Sequence, residues 1–287
     1  MTCPSMLSKL RTILDALRPS RGPSVDNLLD QLSHSNARTR WEAAEALGPH
    51  SGGEARVAEA LVNALDDPHP FVRWQAVESL TRHKDEHTFV LLKAALSSRN
   101  ARRRSAAADA LGKFGDKRAA SALQRALTSR NAEVRCSAAE ALARLGDPTA
   151  LPKLRKGLDD QNAHVRRAVV NALGAIGSSE AVPALLTMLE DNSALVRASA
   201  AEALRKIADP TAAPSLRQAL NDPDPGVRWN AVRALSAVGD AQVLPALELL
   251  LSDDTEIFGV SIAEAAHSAM DAIKRRQRDQ EQARRSK

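Results

Sequence analysis

Apolar residues recur along most of this chain at steps of three and four, the spacing of helices that bury one face and leave the other in water. One such stripe is Val196, Ala200, Ala203, Leu204 and Ile207, with Glu202, Arg205 and Lys206 between its members. A shorter apolar run precedes it across a polar turn, so the pattern predicts a pair of short helices. The first helix of a pair opens near a turn such as Gly146-Asp147-Pro148, with Asp as N-cap and Pro at the first helical position. Prolines recur at Pro152, Pro183, Pro214 and Pro245, early in the first helix, where a loosened first turn tolerates them. The second helix follows Asn100, Asn131, Asn162, Ser193 or Asp224 as its N-cap.

The pairs repeat. Residues 120–150, 151–181 and 182–212 align without a gap. One arginine keeps the register, at Arg40, Arg73, Arg104, Arg135, Arg166, Arg197 and Arg228, with a first spacing of 33 and later ones of 31. A leucine eight positions earlier keeps it too, from Leu32 to Leu251. Eight units therefore span about residues 24–273, the last degenerate, with Gly259 at the arginine position. A single hairpin of this kind cannot bury its apolar face, so stacking of neighbours supplies the core, and Ala on the stripe lets helices approach closely. The expected fold is all-α: a right-handed α-solenoid of about eight helical hairpins of ~31 residues each. Residues 1–23, with the stripe Met6, Leu7, Leu10, Ile13, Leu14 and Leu17, are expected to form an amphipathic capping helix and linker; a membrane-surface or partner-binding helix is the alternative. Residues 274–287 form a basic tail, lack apolar residues except Ala283, and are expected to fray or stay disordered.

The pattern (L/D)D-x-x-x-x-V-R-x-x-A-A-x-A-L-x-x-(I/L)-G-D resembles the short HEAT-like repeat of the phycobilisome-lyase type, over about 250 of the 287 residues. The resemblance implies the solenoid fold. It leaves function open, because such repeats serve bilin lyase subunits, hydroxylases, DNA-repair proteins and plain scaffolds. It also implies that an aspartate six residues before the arginine joins it in a ladder of hydrogen bonds between repeats. Asp67, Asp160, Asp191 and Asp222 fit, before Arg73, Arg166, Arg197 and Arg228, whereas His34, Ser98 and Ser129 interrupt the ladder.

Composition narrows the function classes. There is no Tyr, and the only large rings are Trp41, Phe71, Trp74, Phe89, Phe114, Trp229 and Phe258. No stretch approaches the ~18 apolar residues of a membrane span. The first twenty residues lack a signal-peptide core, and Cys3 and Cys136 make no disulfide framework or CxxC metal spacing. A cytoplasmic protein is expected. The net charge of +5 resides in residues 274–287, where seven basic residues face Asp279 and Glu281. The body is neutral, and with few stacking aromatics this argues against nucleic acid except through the basic tail or one local patch. That patch is residues 99–130, with nine basic against two acidic residues. Arg99, Arg102, Arg103 and Lys113 are its candidate contacts for an acidic partner.

Catalytic chemistry finds little support. His83-Lys84-Asp85-Glu86-His87 satisfies H-x-x-E-H, a zinc-peptidase spacing that needs both histidines on one helical face. The repeat register places Lys84-Asp85 in a turn, so the histidines flank a helix break. HEAT-like deoxyhypusine hydroxylases carry iron on His-Glu dipeptides, and none of the seven histidines here precedes a Glu. HEAT-like DNA glycosylases need a basic groove that a neutral body lacks. A bilin lyase-like subunit remains the enzymatic alternative, though no residue matches a chromophore site. Cys136 lacks a neighbouring His and reads as an inert thiol. No cofactor and no metal are expected.

Trp41, Trp74 and Trp229 each directly follow the repeat arginine. At ~100° per residue this position lies roughly 160° from the centre of the second helix's core stripe. The HEAT resemblance puts that face on the concave side of a solenoid. Trp41, Glu42, Glu45, Trp74, Gln75, Glu78, Trp229, Asn230 and Arg233 are therefore the expected partner surface of a non-catalytic protein-binding scaffold. Cover of Trp41 by the N-terminal helix and of Trp229 by a neighbouring unit is the competing reading.

Overall fold

A computed structural model describes residues 23–285, and apart from one two-stranded hairpin near the C-terminal end these form helical hairpins. The chain divides into two compact units, a first reaching Leu91 and a second from Leu92 onward. In the first, α1 (Val25–Gln31) pairs with α2 (Ala37–Leu47), and α3 (Ala55–Ala64) with α4 (Pro70–Leu80). The boundary falls within α5 (Glu86–Ala95). The second unit continues with α6 (Ala101–Phe114), α7 (Ala120–Ala126), α8 (Ala132–Leu145), α9 (Leu151–Lys156) and α10 (Ala163–Ile176). It ends with α11 (Val182–Thr187), α12 (Ala194–Ile207), α13 (Ala213–Ala219), α14 (Pro225–Val238), α15 (Leu244–Glu248) and α16 (Ile262–Arg285). The N-terminal stripe Met6–Leu17 lies outside the described residues.

The even-numbered helices are the long ones of the second unit and pack on one another in series, α6 on α8 through to α14 on α16. Small residues set how closely they approach: a Cβ on Gly112 would meet Ala141 Cα at 2.7 Å, and one on Gly174 would meet Ala203 Cβ at 2.6 Å. The expected core positions are buried, including Leu158, Leu173, Val196, Ala200, Ala203 and Leu204. The expected caps also form. Asn100, Asn131, Asn162 and Asp224 accept from main-chain N–H groups at the starts of α6, α8, α10 and α14, whereas Ser193 makes no such bond. Asp147-Pro148 opens a short 3-10 turn, and α9 starts only at Leu151.

The ladder forms with a different pairing from the expected one. Each arginine donates to main-chain oxygens of its own repeat, and five of the seven, all but Arg73 and Arg104, give further N–H groups to the aspartate of the next. Arg166 donates to Asp160 O at 2.8 Å and to Asp191 Oδ2 and Oδ1 at 2.7 and 2.8 Å. Arg40–Asp67, Arg135–Asp160, Arg197–Asp222 and Arg228–Asp253 repeat the arrangement, and Asp253 extends it into the degenerate last unit. The planar guanidinium fork suits this bridging, because it can address a carboxylate and two carbonyls at once. The Arg166 hydrogen bond, against an opposing burial penalty, holds the Asp191 carboxyl below its ordinary range.

The C-terminal segment departs from expectation. Helix α16 runs on through Arg285 rather than ending near 273. Its charged continuation consists of strong helix formers, and Arg276 anchors it by donating to Ser236, Ala237 and Gly239 carbonyls at the end of α14. Where unit eight loses its arginine, a two-residue hairpin forms, Glu256–Ile257 against Val260–Ser261. Phe258 and Gly259 turn it at φ of 54° and 79°, the left-handed values a tight hairpin requires.

Candidate functional site

Three rings gather where α2 and α4 begin. Ala37, Arg38 and Trp41 share a face of α2 by their three- and four-residue spacing, as do Phe71 and Trp74 on α4. With His69 they line a cleft of about 390 Å³. Trp74 is 51% and Phe71 66% exposed, while Trp41 is half-buried. The loop that presents Phe71 is clamped from both sides by ladder residues. Asp67 accepts from Arg40 at 2.6 and 2.9 Å and from the His69 N–H at 2.8 Å. Arg73 holds the carbonyls of Asp67 and Pro68. Pro70 then starts α4 at a position where a missing N–H costs nothing. The His69 ring lies 5.6 Å from that of Phe71, tilted by 40°. The result is a largely apolar cleft whose polar lining among the described residues is Arg38 and the His69 ring, with no carboxylate, hydroxyl or thiol beside the imidazole to make a catalytic pair.

Comparison with known proteins agrees with this architecture. The sequence matches HEAT repeats over residues 25–112, 58–132, 88–164, 120–205 and 185–266. This chain belongs to the HEAT-repeat family. YibA of E. coli is similar in structure at 22% identity and a TM-score of 0.64, covering 96% of this HEAT-repeat chain and 99% of its own. Importin beta is similar at 16% identity and a TM-score of 0.62, covering 88% of this chain and 41% of its own. The CpcE–CpcF complex of phycocyanin lyase from Nostoc matches at 28% identity, a TM-score of 0.42, and 89% and 97% coverage. A search of curated proteins by sequence returned no match.

The remaining expected partner residues of the HEAT-repeat protein fare differently. Glu42 and Glu45 are exposed, and Glu42 accepts from Arg38 Nε at 2.8 Å. Glu78 is half-buried. Gln75 is not on the surface: it is 3% exposed in the seam between α2 and α4, where it donates to Ser79 Oγ at 3.4 Å. The hydroxyl of Ser79 in turn donates to Ala44 O at 2.7 Å. Small residues, Ala106, Ser137, Ala168 and Ser199, hold the equivalent place in four other repeats, whereas Glu42 at that place in the first repeat is exposed, so the burial of Gln75 depends on how α4 packs against α2. Trp229, Asn230 and Arg233 lie on α14 in the second unit. Trp229 and Asn230 are half-buried, and the Asn230 amide donates to Gly226 O; Arg233 is exposed, 3.5 Å from Glu202. Phe71 and His69 escaped the sequence reading. A signal existed for Phe71, which occupies the place of Arg38, Arg102, Glu133 and His164 in other repeats.

The basic patch of the HEAT-repeat protein is smaller than composition suggests. Arg99 and Arg102 are exposed and Arg103 is half-buried around the start of α6. Lys113 does not join them, because it lies in the last turn of α6 and sits 3.2 Å from Asp109 Oδ2. Ten residues of helix separate it from Arg103, roughly 15 Å. Arg104 donates to Ser98 and Arg99 carbonyls, and Arg118 pairs with Asp116. The expected break between the two histidines is present: α4 ends at Leu80 and α5 starts at Glu86, with His83 before it and His87 on it. Among the described residues no three His, Cys, Asp or Glu side chains cluster to hold a metal ion. Burial, and then Glu140, push the thiol of half-buried Cys136 upward, away from the thiolate a nucleophile needs. No described helix is long and apolar enough to cross a membrane.

Proposed function

We propose that this HEAT-repeat protein is a non-catalytic cytoplasmic scaffold that docks a protein partner on the face of its second helices, with the Trp41–Phe71–Trp74 cleft as the anchor. One observation carries the reading. Two indoles and a phenyl ring stand side by side, Phe71 and Trp74 exposed and Trp41 half-buried, on a chain with only seven Trp and Phe residues in all. Clustered exposed aromatics mark interaction surfaces, because Trp brings large apolar area with few rotatable bonds. Glu42, Glu45 and Glu78 continue the same face. Arg99, Arg102 and Arg103 provide a separate electrostatic contact for an acidic surface, one that weakens as salt rises.

The test is capture of partners from the native cell by full-length protein and by Trp74→Ala. Retention of a stoichiometric protein should fall at least tenfold, the ~2 kcal/mol of an interface anchor. Stability should change by under ~1 kcal/mol, since half of Trp74 is already in water. Equal retention by both proteins refutes the reading, as does a core-like loss of ~3–5 kcal/mol, which would make Trp74 a packing residue. Tetrapyrrole absorbance in the purified protein would favour the lyase-like alternative.

A further inference from the structure

We infer that the groove between the α5–α6 and α7–α8 hairpins binds a phosphoryl group, held by Arg104 in the place that an aspartate fills in other repeats. Arg135 shows the ordinary arrangement. Its Nη1 donates to the Ser129 and Arg130 carbonyls, while Nε and Nη2 fork onto Asp160 at 2.6 and 2.8 Å. Arg104 keeps the first half: its Nη1 donates to the Ser98 and Arg99 carbonyls at 2.7 and 3.0 Å. The same anchoring turns its Nε–Nη2 edge toward position 129, where Ser129 stands. Ser129 Oγ takes over only the capping role of the aspartate. It accepts from the Asn131 N–H at 3.3 Å, as Asp160 does from the Asn162 N–H at 2.9 Å. Among the described residues no carboxylate accepts from that edge of Arg104. A planar fork of charged donors fits an oxyanion bidentately.

The groove around this edge has changed sign from its counterpart. Between the first two repeats it is lined by Leu29, Ser33, Asn63, Asp66 and Asp67 among others. In the same register, between the third and fourth, stand Lys93, Ser97, Arg125, Thr128 and Ser129, together with Arg104. Between the fourth and fifth the aspartates return, as Asp159 and Asp160. Three cations therefore line a groove of about 240 Å³ whose own lining holds no acid, and whose remaining wall is apolar. Asp116 lies outside that lining, paired with Arg118 and within electrostatic reach of Lys93. Ser97 and Ser129 add hydroxyl donors, whereas Thr128 gives its own to the Arg125 carbonyl. The volume falls below the ~300–1,000 Å³ of sites for larger organic ligands, which favours a small anion. A single carboxylate would answer one of the three cations. A phosphoryl group, with close to two charges and three acceptor oxygens, answers the fork and the two cations beside it.

The experiment titrates the full chain calorimetrically with inorganic phosphate, at neutral pH and constant ionic strength, with circular dichroism confirming that every variant folds. One saturable site is expected, which acetate fills at least about tenfold more weakly. Ser129→Asp supplies the missing carboxylate from within the chain, so its urea midpoint should rise while phosphate affinity falls by about tenfold or more. Arg104→Lys keeps the charge but loses the fork, and should weaken binding to a similar degree. Lys156→Ala, exposed on α9 and outside the groove, should bind as the native chain does. O-phosphoserine identifies the source: binding as tight as phosphate assigns the groove to phosphate esters, and much weaker binding assigns it to free phosphate. Absence of a saturable site overturns the inference, as does acetate binding equally well. So does undiminished binding by Ser129→Asp, or an equal loss in Lys156→Ala.

Discussion

Asp191→Ala tests whether the ladder couples neighbouring repeats or merely decorates them. In the folded chain Asp191 accepts two hydrogen bonds from Arg166, at 2.7 and 2.8 Å, and one from the Ser193 N–H at 2.8 Å. Its side chain is 6% exposed and that of Arg166 11%. Removing one partner of a buried pair costs ~3–5 kcal/mol, because a desolvated charge loses its counterion. Arg166 retains Asn192 Oδ1 and two carbonyls, so the expected loss is nearer ~2–4 kcal/mol. The sign with pH follows from the carboxyl's depressed folded pKa. Its contribution is fully present above the unfolded value near ~4 and is lost as pH falls through the folded value. The gap between native and variant proteins should therefore narrow on acidification. Urea unfolding followed at 222 nm, at pH 7 and at stepwise lower pH, measures both quantities; a nearly one-dimensional array is best fitted repeat by repeat. A loss below ~0.5 kcal/mol, or a gap that does not narrow with acid, would refute the coupling.

Two substitutions should run against helix propensity in opposite directions. Gly174→Ala adds a methyl 2.6 Å from Ala203 Cβ and 2.8 Å from its Cα; overpacking of ~1–3 kcal/mol should exceed a propensity gain of up to ~1 kcal/mol, and a raised melting temperature would contradict the packing. Ala208 ends α12 at a φ of 57°, where Gly115, Gly146 and Gly177 end other helices. Ala208→Gly should therefore stabilise by about 0.5–1 kcal/mol, and a loss in urea midpoint would show that the left-handed cap carries no strain.

Much of this molecule was legible in one dimension. The arginine register, the Asn caps and the alternation of short and long apolar runs determined the helices and their number, because hairpin and stacking contacts repeat on a short sequence period. The same register located Trp41 and Trp74 at equivalent places and put His83 and His87 on either side of a break. The ladder's partners were not legible. An aspartate six residues before an arginine looks like that arginine's mate, yet its carboxylate reaches back to the arginine 25 residues earlier, because stacking brings successive repeats closer than the intervening turn brings those two side chains. Charge counts misled for a local reason: residues 99–130 are strongly basic as a string, but Lys113 and Arg118 pair with acids four and two residues away in the chain. The basic tail is held by Arg276 against carbonyls some forty residues away. The sequence by itself determined periodicity and local helix boundaries, since these depend on neighbours within a turn or two. Only the tertiary structure decided that Gln75 is sealed in a seam while Phe71, four residues earlier, joins two tryptophans in an open cleft, because exposure depends on which helix packs alongside.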